Sequence, residues 1–513
     1  MTKTTTTLPA GTLLRALAPM IVKRAPVPVL TCVQVTPDGL AAFDYETTRT
    51  WSTTTGTTPG ATPAGPAFLV PAADLHAAVK GLVSGLPARS RELEPVTITA
   101  TMTGATVTAA GMSVPVTTPA GVKLDECPDL PAPVDGAMFT ITADHLATIA
   151  THVAPVIDRD VPVLTAVRLT VADGDAIWTA TDRYRAHRAT TSTDVYAVAD
   201  DANVPAAFLV GFHKLIKGER LTGPVTVTVQ PESKGTTTRR VQLSAGGHTW
   251  STVQTEGTYP AIGRIIDAAE TGGTRGQVPA DMLAAVVKRA AALVPDPARG
   301  LILLDSDGDV IRVAADLGGD ASPVLVGIVP SSAPAFDATG VNVRYLVAAL
   351  AAHAGAVDTV LTWSAPGKPV LLTSGAVTTL VMPVRIPGGG AATMPATPAT
   401  MTPEAATRTP RAPRTTTPAP APAEDPRVAE LAAALAAVTA ERDQLAADLA
   451  AARETTTSTA TSTPATVTAG GEHKHRALPG DDVPPRCACG FRQSRTPAPG
   501  RALSDHLARF RNR

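Results

Sequence analysis

Val161-Pro162-Val163-Leu164-Thr165 repeats, letter for letter, Val27-Pro28-Val29-Leu30-Thr31, which lies 134 residues upstream. Ala207-Phe208-Leu209-Val210 repeats Ala67-Phe68-Leu69-Val70 in the same order, 140 residues apart. A period of this length far exceeds a solenoid repeat of roughly 20 to 50 residues. It matches a whole domain of roughly 100 to 150 residues. The first 270 residues therefore read as two copies of one domain, and a third, more diverged copy fits between about Gln277 and Pro387. Copies joined head to tail point to a ring or an arc, and a ring implies something that passes through it.

Each copy has the same grammar. A helix comes first, marked by Leu13, Leu14, Leu17, Met20 and Ile21, and by Leu146, Ile149, Ala150 and Val153. Strands over 30–35 and 164–171 follow, with hairpin turns at Asp38-Gly39 and Asp173-Gly174. Then each copy is expected to have a Phe-Leu-Val strand and a second helix, over 73–82 and 212–219. Strands over 96–100, 106–110, 225–229 and 241–244 close the units. The third region repeats this with helices over 280–293 and 343–353 and strands over 301–304, 310–315, 359–363, 370–372 and 379–385. The pattern predicts an α+β fold, three repeated domains with helices on one face of antiparallel sheets, over residues 1–135, 136–268 and 276–387.

Composition narrows the class. Hydrophobic residues make up 44% of the 513 but aromatics only 3%, so Ala, Val and Leu must fill most of the core. A net charge of -1 excludes bulk attraction to nucleic acid, and any DNA contact needs charge segregated onto one face. Four cysteines in so long a chain are not a disulfide scaffold, and Cys32 and Cys127 read as buried thiols. No signal peptide is expected near the N-terminus, and no run of about 18 apolar residues suggests a membrane span.

Beyond Pro387 the composition changes. Residues 388–424 are rich in Pro, Ala and Thr and read as a disordered linker. Residues 425–454 carry Val428, Leu431, Leu435, Val438, Leu445, Leu449 and Ala452 on an a/d heptad, interrupted by Arg442. This is a short helix, either solvated or self-associating. A second linker over 455–470 leads to a basic tail over 471–513, where Arg501, Arg509, Arg511 and Arg513 would favour weak DNA affinity. In the tail, Cys487 and Cys489 with His475 (or His473) and His506 make a set that could hold zinc; the alternative is two exposed thiols.

Four motifs carry a family resemblance. Ala180-Thr181-Asp182-Arg183-Tyr184-Arg185, after Leu164-Thr165-Ala166-Val167-Arg168-Leu169, resembles the middle-domain signature of bacterial DNA polymerase III β sliding clamps. Tyr259-Pro260-Ala261-Ile262-Gly263-Arg264-Ile265-Ile266 resembles the family's link between second and third domains. Val341-Asn342-Val343-Arg344-Tyr345-Leu346 resembles the start of its last helix, and Leu380-Val381-Met382-Pro383-Val384-Arg385-Ile386 its final strand. The similarity covers roughly residues 8 to 387; the tail lies outside it.

The resemblance implies a cytoplasmic head-to-tail homodimer that closes around duplex DNA, slides on it and tethers a polymerase, with no covalent chemistry and no required cofactor. It also implies a groove for short peptides of polymerases and the clamp loader. That groove falls on Leu164, Thr181, Arg183, Tyr184, Arg185, Ala186, Pro260, Arg264, Ile265, Leu380, Met382, Pro383, Val384, Arg385 and Ile386. Arg183 stands where the family usually has a small residue and Ala186 where it usually has Leu, which bears on peptide preference. Sliding needs phosphate attraction without base readout. Lys23, Arg24, Lys80, Lys214, Lys217, Arg220, Lys288, Arg289 and Arg344 are the candidate DNA-facing groups. A second reading is a phage or plasmid paralogue that competes for clamp partners. A cell-surface Thr/Ala/Pro-rich protein with sandwich domains is disfavoured by the clamp motifs and by the signal peptide that is not expected, and an enzyme has no nucleophile–base set or phosphate loop to rest on. Asp305, Asp307 and Gly308 lack the closing Glu of a calcium loop and read as a hairpin turn.

Overall fold

The computed structural model describes residues 4–22, 25–53, 66–193, 199–232, 238–296, 298–318, 321–333, 335–365, 367–384 and 394–397. All of them belong to one compact unit, Met1–Arg408. The heptad segment and the Cys/His tail lie outside the described residues.

The first domain runs β1 (Thr5–Pro9), α1 (Ala10–Leu17), β2 (Cys32–Thr36), β3 (Gly39–Phe43), β4 (Thr47–Ser52), β5 (Phe68–Pro71), α2 (Ala72–Leu82), α3 (Ala88–Leu93), β6 (Pro95–Thr101), β7 (Gly104–Ala109) and β8 (Met112–Thr117). The second runs β9 (Ala137–Ile141), α4 (Ala143–Thr148, continued by a π-turn over Ile149–Val153), β10 (Ala166–Ala172), β11 (Asp175–Thr181), β12 (Arg185–Ser192), β13 (Ala199–Pro205), α5 (Ala206–Glu219), β14 (Val225–Val229), β15 (Arg240–Ala245) and β16 (His248–Val253). A linking helix α6 (Ile262–Gly272) leads into the third: β17 (Thr274–Val278), α7 (Ala280–Leu293), β18 (Leu301–Ser306), β19 (Val310–Ala315), β20 (Val324–Pro330), β21 (Phe336–Asn342), α8 (Val343–Ala351), β22 (Thr359–Trp363), β23 (Val370–Ser374) and β24 (Val377–Val381).

Every domain holds two four-stranded antiparallel arrays, and they join across domain boundaries. β4 pairs with β16, and β12 with β24, giving two eight-stranded sheets, β5-β2-β3-β4-β16-β15-β14-β9 and β13-β10-β11-β12-β24-β23-β22-β17. Two arrays stay four-stranded: β1-β6-β7-β8 and β20-β19-β18-β21. Their edge strands occupy repeat positions already used elsewhere. β8 corresponds to β16 and β24, and β20 to β4 and β12. Helices and sheets of a domain share one core, as where Leu13, Leu17, Leu75 and Val79 of α1 and α2 meet Val33, Leu40, Ile98 and Val107 of the strands. With few aromatics, Trp178 and Phe212 are the large fully buried rings of the second core.

The shared Val-Pro-Val-Leu-Thr segments take the same form, 3-10 turns over Pro28–Thr31 and Pro162–Thr165, so the strands expected from residues 30 and 164 begin at Cys32 and Ala166. The second sequence match is out of register. Phe68–Pro71 is strand β5, but Ala207 to Val210 lie inside α5, which begins at Ala206 rather than at Phe212. The structurally equivalent stretch is Val70-Pro71-Ala72-Ala73 with Val204-Pro205-Ala206-Ala207, again 134 residues apart. In both, the proline ends a strand and precedes the first helical residue, where its missing N–H costs nothing. Each domain also opens with a strand that the sequence reading missed. In β1 only Thr6 and Leu8 are buried, and it becomes a strand by pairing with β6. The last strand is Val377–Val381, shorter than the expected 379–385 at its C-terminal end. The Asp305–Asp307 segment is a hairpin, with Asp307 Oδ1 accepting the Val310 N–H at 3.1 Å and Asp305 paired to Arg312.

Candidate functional site

The β11–β12 turn is built by one carboxylate. Asp182 Oδ1 accepts backbone N–H groups of Tyr184 (3.2 Å) and Arg185 (3.0 Å), and its Oδ2 accepts Arg185 Nε at 2.9 Å. Arg183 sits at φ +75, a left-handed conformation that Arg rarely adopts. Its backbone N–H donates to Thr181 Oγ1 at 3.1 Å, and its guanidinium pairs with Asp158 at 2.6 Å. The Asp160 N–H at 2.9 Å, aided by Arg183, holds the Asp158 carboxyl below the usual carboxylate range. Leu164, buried, accepts the Asp158 N–H at 3.1 Å and so anchors the same loop.

Across the boundary lies the third domain. Tyr184 stacks on Tyr345 of α8 at 5.6 Å, and the Arg185 guanidinium lies 5.3 Å from the Tyr345 ring centroid. Burial, with Asp182 nearby, pushes the Tyr345 hydroxyl pKa up. The chain after β24 stays tied to this turn: Met382 N–H donates to Tyr184 O at 2.9 Å, and Val384 N–H to Gly340 O at 2.8 Å, with Pro383 bridged to Val341.

On the other face of the strands, Ala186 and Leu380 are cross-strand neighbours and are buried with Ile266, Ala269 and Leu371; Ile262 and Met382 pack at the margin. Arg188 fastens α6 over this cluster through Asp267 (2.6 Å) and Glu270 (2.8 Å). Leu380 and Ala186 thus form a floor beneath α6. Met382 and Pro383 are half-buried, while Pro260, Arg264, Ile265, Tyr184 and Val384 are exposed. An adaptable thioether between an apolar floor and exposed Ile265 and arginines suits an apolar peptide side chain. Arg385 and Ile386 lie outside the described residues. Sequence reasoning missed Asp158, Tyr345, Ile262 and Ile266. The i, i+4, i+7 spacing of Ile262, Ile266 and Ala269 was the available signal for α6, and Tyr345 stood inside a quoted motif.

The basic candidates divide similarly. Lys80 on α2, Lys214 and Lys217 on α5, Lys288 and Arg289 on α7, and Arg344 on α8 are all exposed helical residues. Arg220 ends α5 at φ +55 and is exposed too. Lys23 and Arg24 lie outside the described residues. Cys32 is buried and Cys127 partly so, and burial raises the Cys32 thiol pKa. Among the described residues, no helix is long and apolar enough to cross a membrane.

No family model matches the chain. It is 30% identical over 331 residues to a β sliding clamp of Micrococcus luteus, an alignment covering 60% of this chain and 91% of the relative. Among solved structures it is similar to a sliding clamp of Pseudomonas aeruginosa bound to griselimycin (TM-score 0.61, 19% identity, 75% of this chain and 100% of the other). It is also similar to the β subunit from DNA polymerase of Streptococcus pyogenes (TM-score 0.59, 18% identity, 74% and 99%) and to a Bacillus subtilis sliding clamp (TM-score 0.60, 16% identity, 75% and 99%).

Proposed function

The chain belongs to the bacterial β sliding clamp family, and from that premise we propose that it works as a DNA sliding clamp: two copies close head to tail around duplex DNA and tether a replicative polymerase. Its role is non-catalytic, that of a cytoplasmic processivity factor. The observation that carries the ring is the pair of edges that have no further strand among the described residues. Twice within the chain, a β4-type strand pairs with a β16-type strand to fuse two arrays. The two edges left over, β20 and β8, are one of each type and sit in opposite terminal domains. Such an edge is a template for a further strand, and two complementary, non-identical edges specify a head-to-tail contact. Met112 and Val114 on β8 and Val324 on β20 expose apolar surface there. Lys80, Lys217, Lys288 and Arg344, exposed on the helices, supply sequence-independent phosphate attraction, and the surface around Met382, Ile265 and Tyr184 receives partner peptides of polymerase and loader.

Light scattering tests closure: a dimer is expected, and a monomer at micromolar concentration overturns it. Loaded protein should stay on closed circular DNA and leave when the circle is cut. Equal retention on both forms would sink the topological reading.

A further inference from the structure

A cavity of about 820 Å³ lies at the other internal boundary, between the first and second domains. Phe208, Leu215 and Trp250 give it apolar walls, and Arg15, Glu46 and Lys214 reach it from α1, the β3–β4 turn and α5. The two boundaries are built alike. Asp44 Oδ1 accepts the N–H groups of Glu46 (3.2 Å) and Thr47 (2.7 Å), as Asp182 does for Tyr184 and Arg185. Val253 N–H donates to Glu46 O, as Met382 N–H does to Tyr184 O. Counting from these shared features, Glu46 stands where Tyr184 stands, and Phe208 where Tyr345 stands. The stacked tyrosines of one boundary are replaced at the other by a pair that does not stack, and there the cavity opens.

Its polar chemistry is one-sided. Trp250 Nε1, Arg49 Nε and Gln254 Nε2 are buried donors with no hydrogen-bond partner among the described residues, and all three residues line the cavity. The other charges are largely spoken for. Arg49 pairs with Asp44, and Glu219 with His248 and Arg15. Lys214 and Glu46, both exposed, make no ion pair among the described residues, which leaves one positive and one negative group at the rim. Nucleic acid would set phosphate against Glu46. An extended peptide offers an apolar side chain for the walls and an acidic residue for Lys214. The volume falls within the roughly 300–1,000 Å³ of ordinary ligand sites.

We propose that this cavity is a second docking groove, for an extended peptide segment with one large apolar side chain and an acidic residue. It is separate from the groove at Met382. Gly218 gives a clean test, because a Cβ added there meets nothing within 4 Å, whereas one at Gly211 meets Trp250 at 3.1 Å. Gly218→Leu should therefore narrow the cavity along its α5 wall while leaving α5 in place.

The probe is a set of photo-crosslinkable hexapeptides, each with one Phe and one Asp in an Ala/Ser background, incubated with the full chain. Saturable crosslinks to α5 and β16 are expected, at least about tenfold weaker in Gly218→Leu and unchanged in Met382→Ala. Circular-DNA retention of Gly218→Leu should stay at the wild-type level, so loss of the groove and loss of clamping are read separately. The proposal is overturned if no saturable crosslink forms, if crosslinking survives Gly218→Leu and vanishes in Met382→Ala, or if a single-stranded oligonucleotide displaces the peptides and crosslinks in their place.

Discussion

Tyr184 and Tyr345 stack with ring planes 11° apart, joining the β11–β12 turn of one domain to the last helix of the next. Neither ring is fully buried; Tyr345 packs against the margin of the third domain's core, and Tyr184 reaches it from the second domain. A double-mutant cycle of Tyr184→Ala and Tyr345→Ala in urea unfolding should give a coupling of about 0.5–1.5 kcal/mol. It should fall toward the lower end because Tyr184 is 53% exposed. Strict additivity would show that the stack holds nothing together.

Partner peptides are expected at Met382, which packs against the floor of Ala186 and Leu380. Met382→Ala or Arg385→Glu should weaken a fluorescent polymerase peptide by about 1–4 kcal/mol and leave the oligomeric state intact. Unchanged affinity in both variants places the groove elsewhere.

Ring closure should fail when an edge is charged. Val114 on β8 is 38% exposed and has no strand beyond it among the described residues. Val114→Glu is expected to yield folded monomers by light scattering, with unchanged circular dichroism. A persistent dimer would mean that β8 is not the contact.

Acid should destabilise the boundary of the second and third domains. Burial lowers the pKa of His187 to about 3 and of His353 to about 4. His187 lies opposite Thr379 in the ladder, and His353 Nε2 lies 3.0 Å from Thr379 Oγ1. Both stay neutral when folded, whereas in the unfolded chain they take up protons near pH 6.5. The unfolded state then binds more protons, so stability is full above about pH 6.5 and falls as pH drops toward 4 and below. His353→Gln should flatten the slope of Tm against pH over that range; an unaltered slope would remove His353 from the account.

Truncation after Pro387 should leave a folded dimer, since the last described strand ends at Val381. Metal analysis of the full chain should find about one zinc per chain, lost in Cys487→Ser and in the truncated form. No metal under reducing conditions would rule out a zinc site on Cys487, Cys489 and the tail histidines, and loss of the dimer on truncation would move assembly to the heptad segment.

What the sequence determined by itself was the repeat, the fold class and most elements. Val-Pro-Val-Leu-Thr marks a turn whose conformation is local, and the helix over Ala280–Leu293 was legible from 3.6-residue periodicity in one segment. Matching letters still misled where conformation depends on neighbours: Ala-Phe-Leu-Val is strand in one copy and helix in the other, because the preceding Pro71 and Pro205, not the shared letters, set where each helix starts. Tertiary structure alone decided the strands that cross boundaries, the roof of α6 over Ala186 and Leu380, and the cavity beside Trp250. Pairing β4 with β16 joins Thr47 to Thr252, more than two hundred residues along the chain. No local pattern encodes that contact, because its stability comes from hydrogen bonds and burial that exist only once both strands have folded.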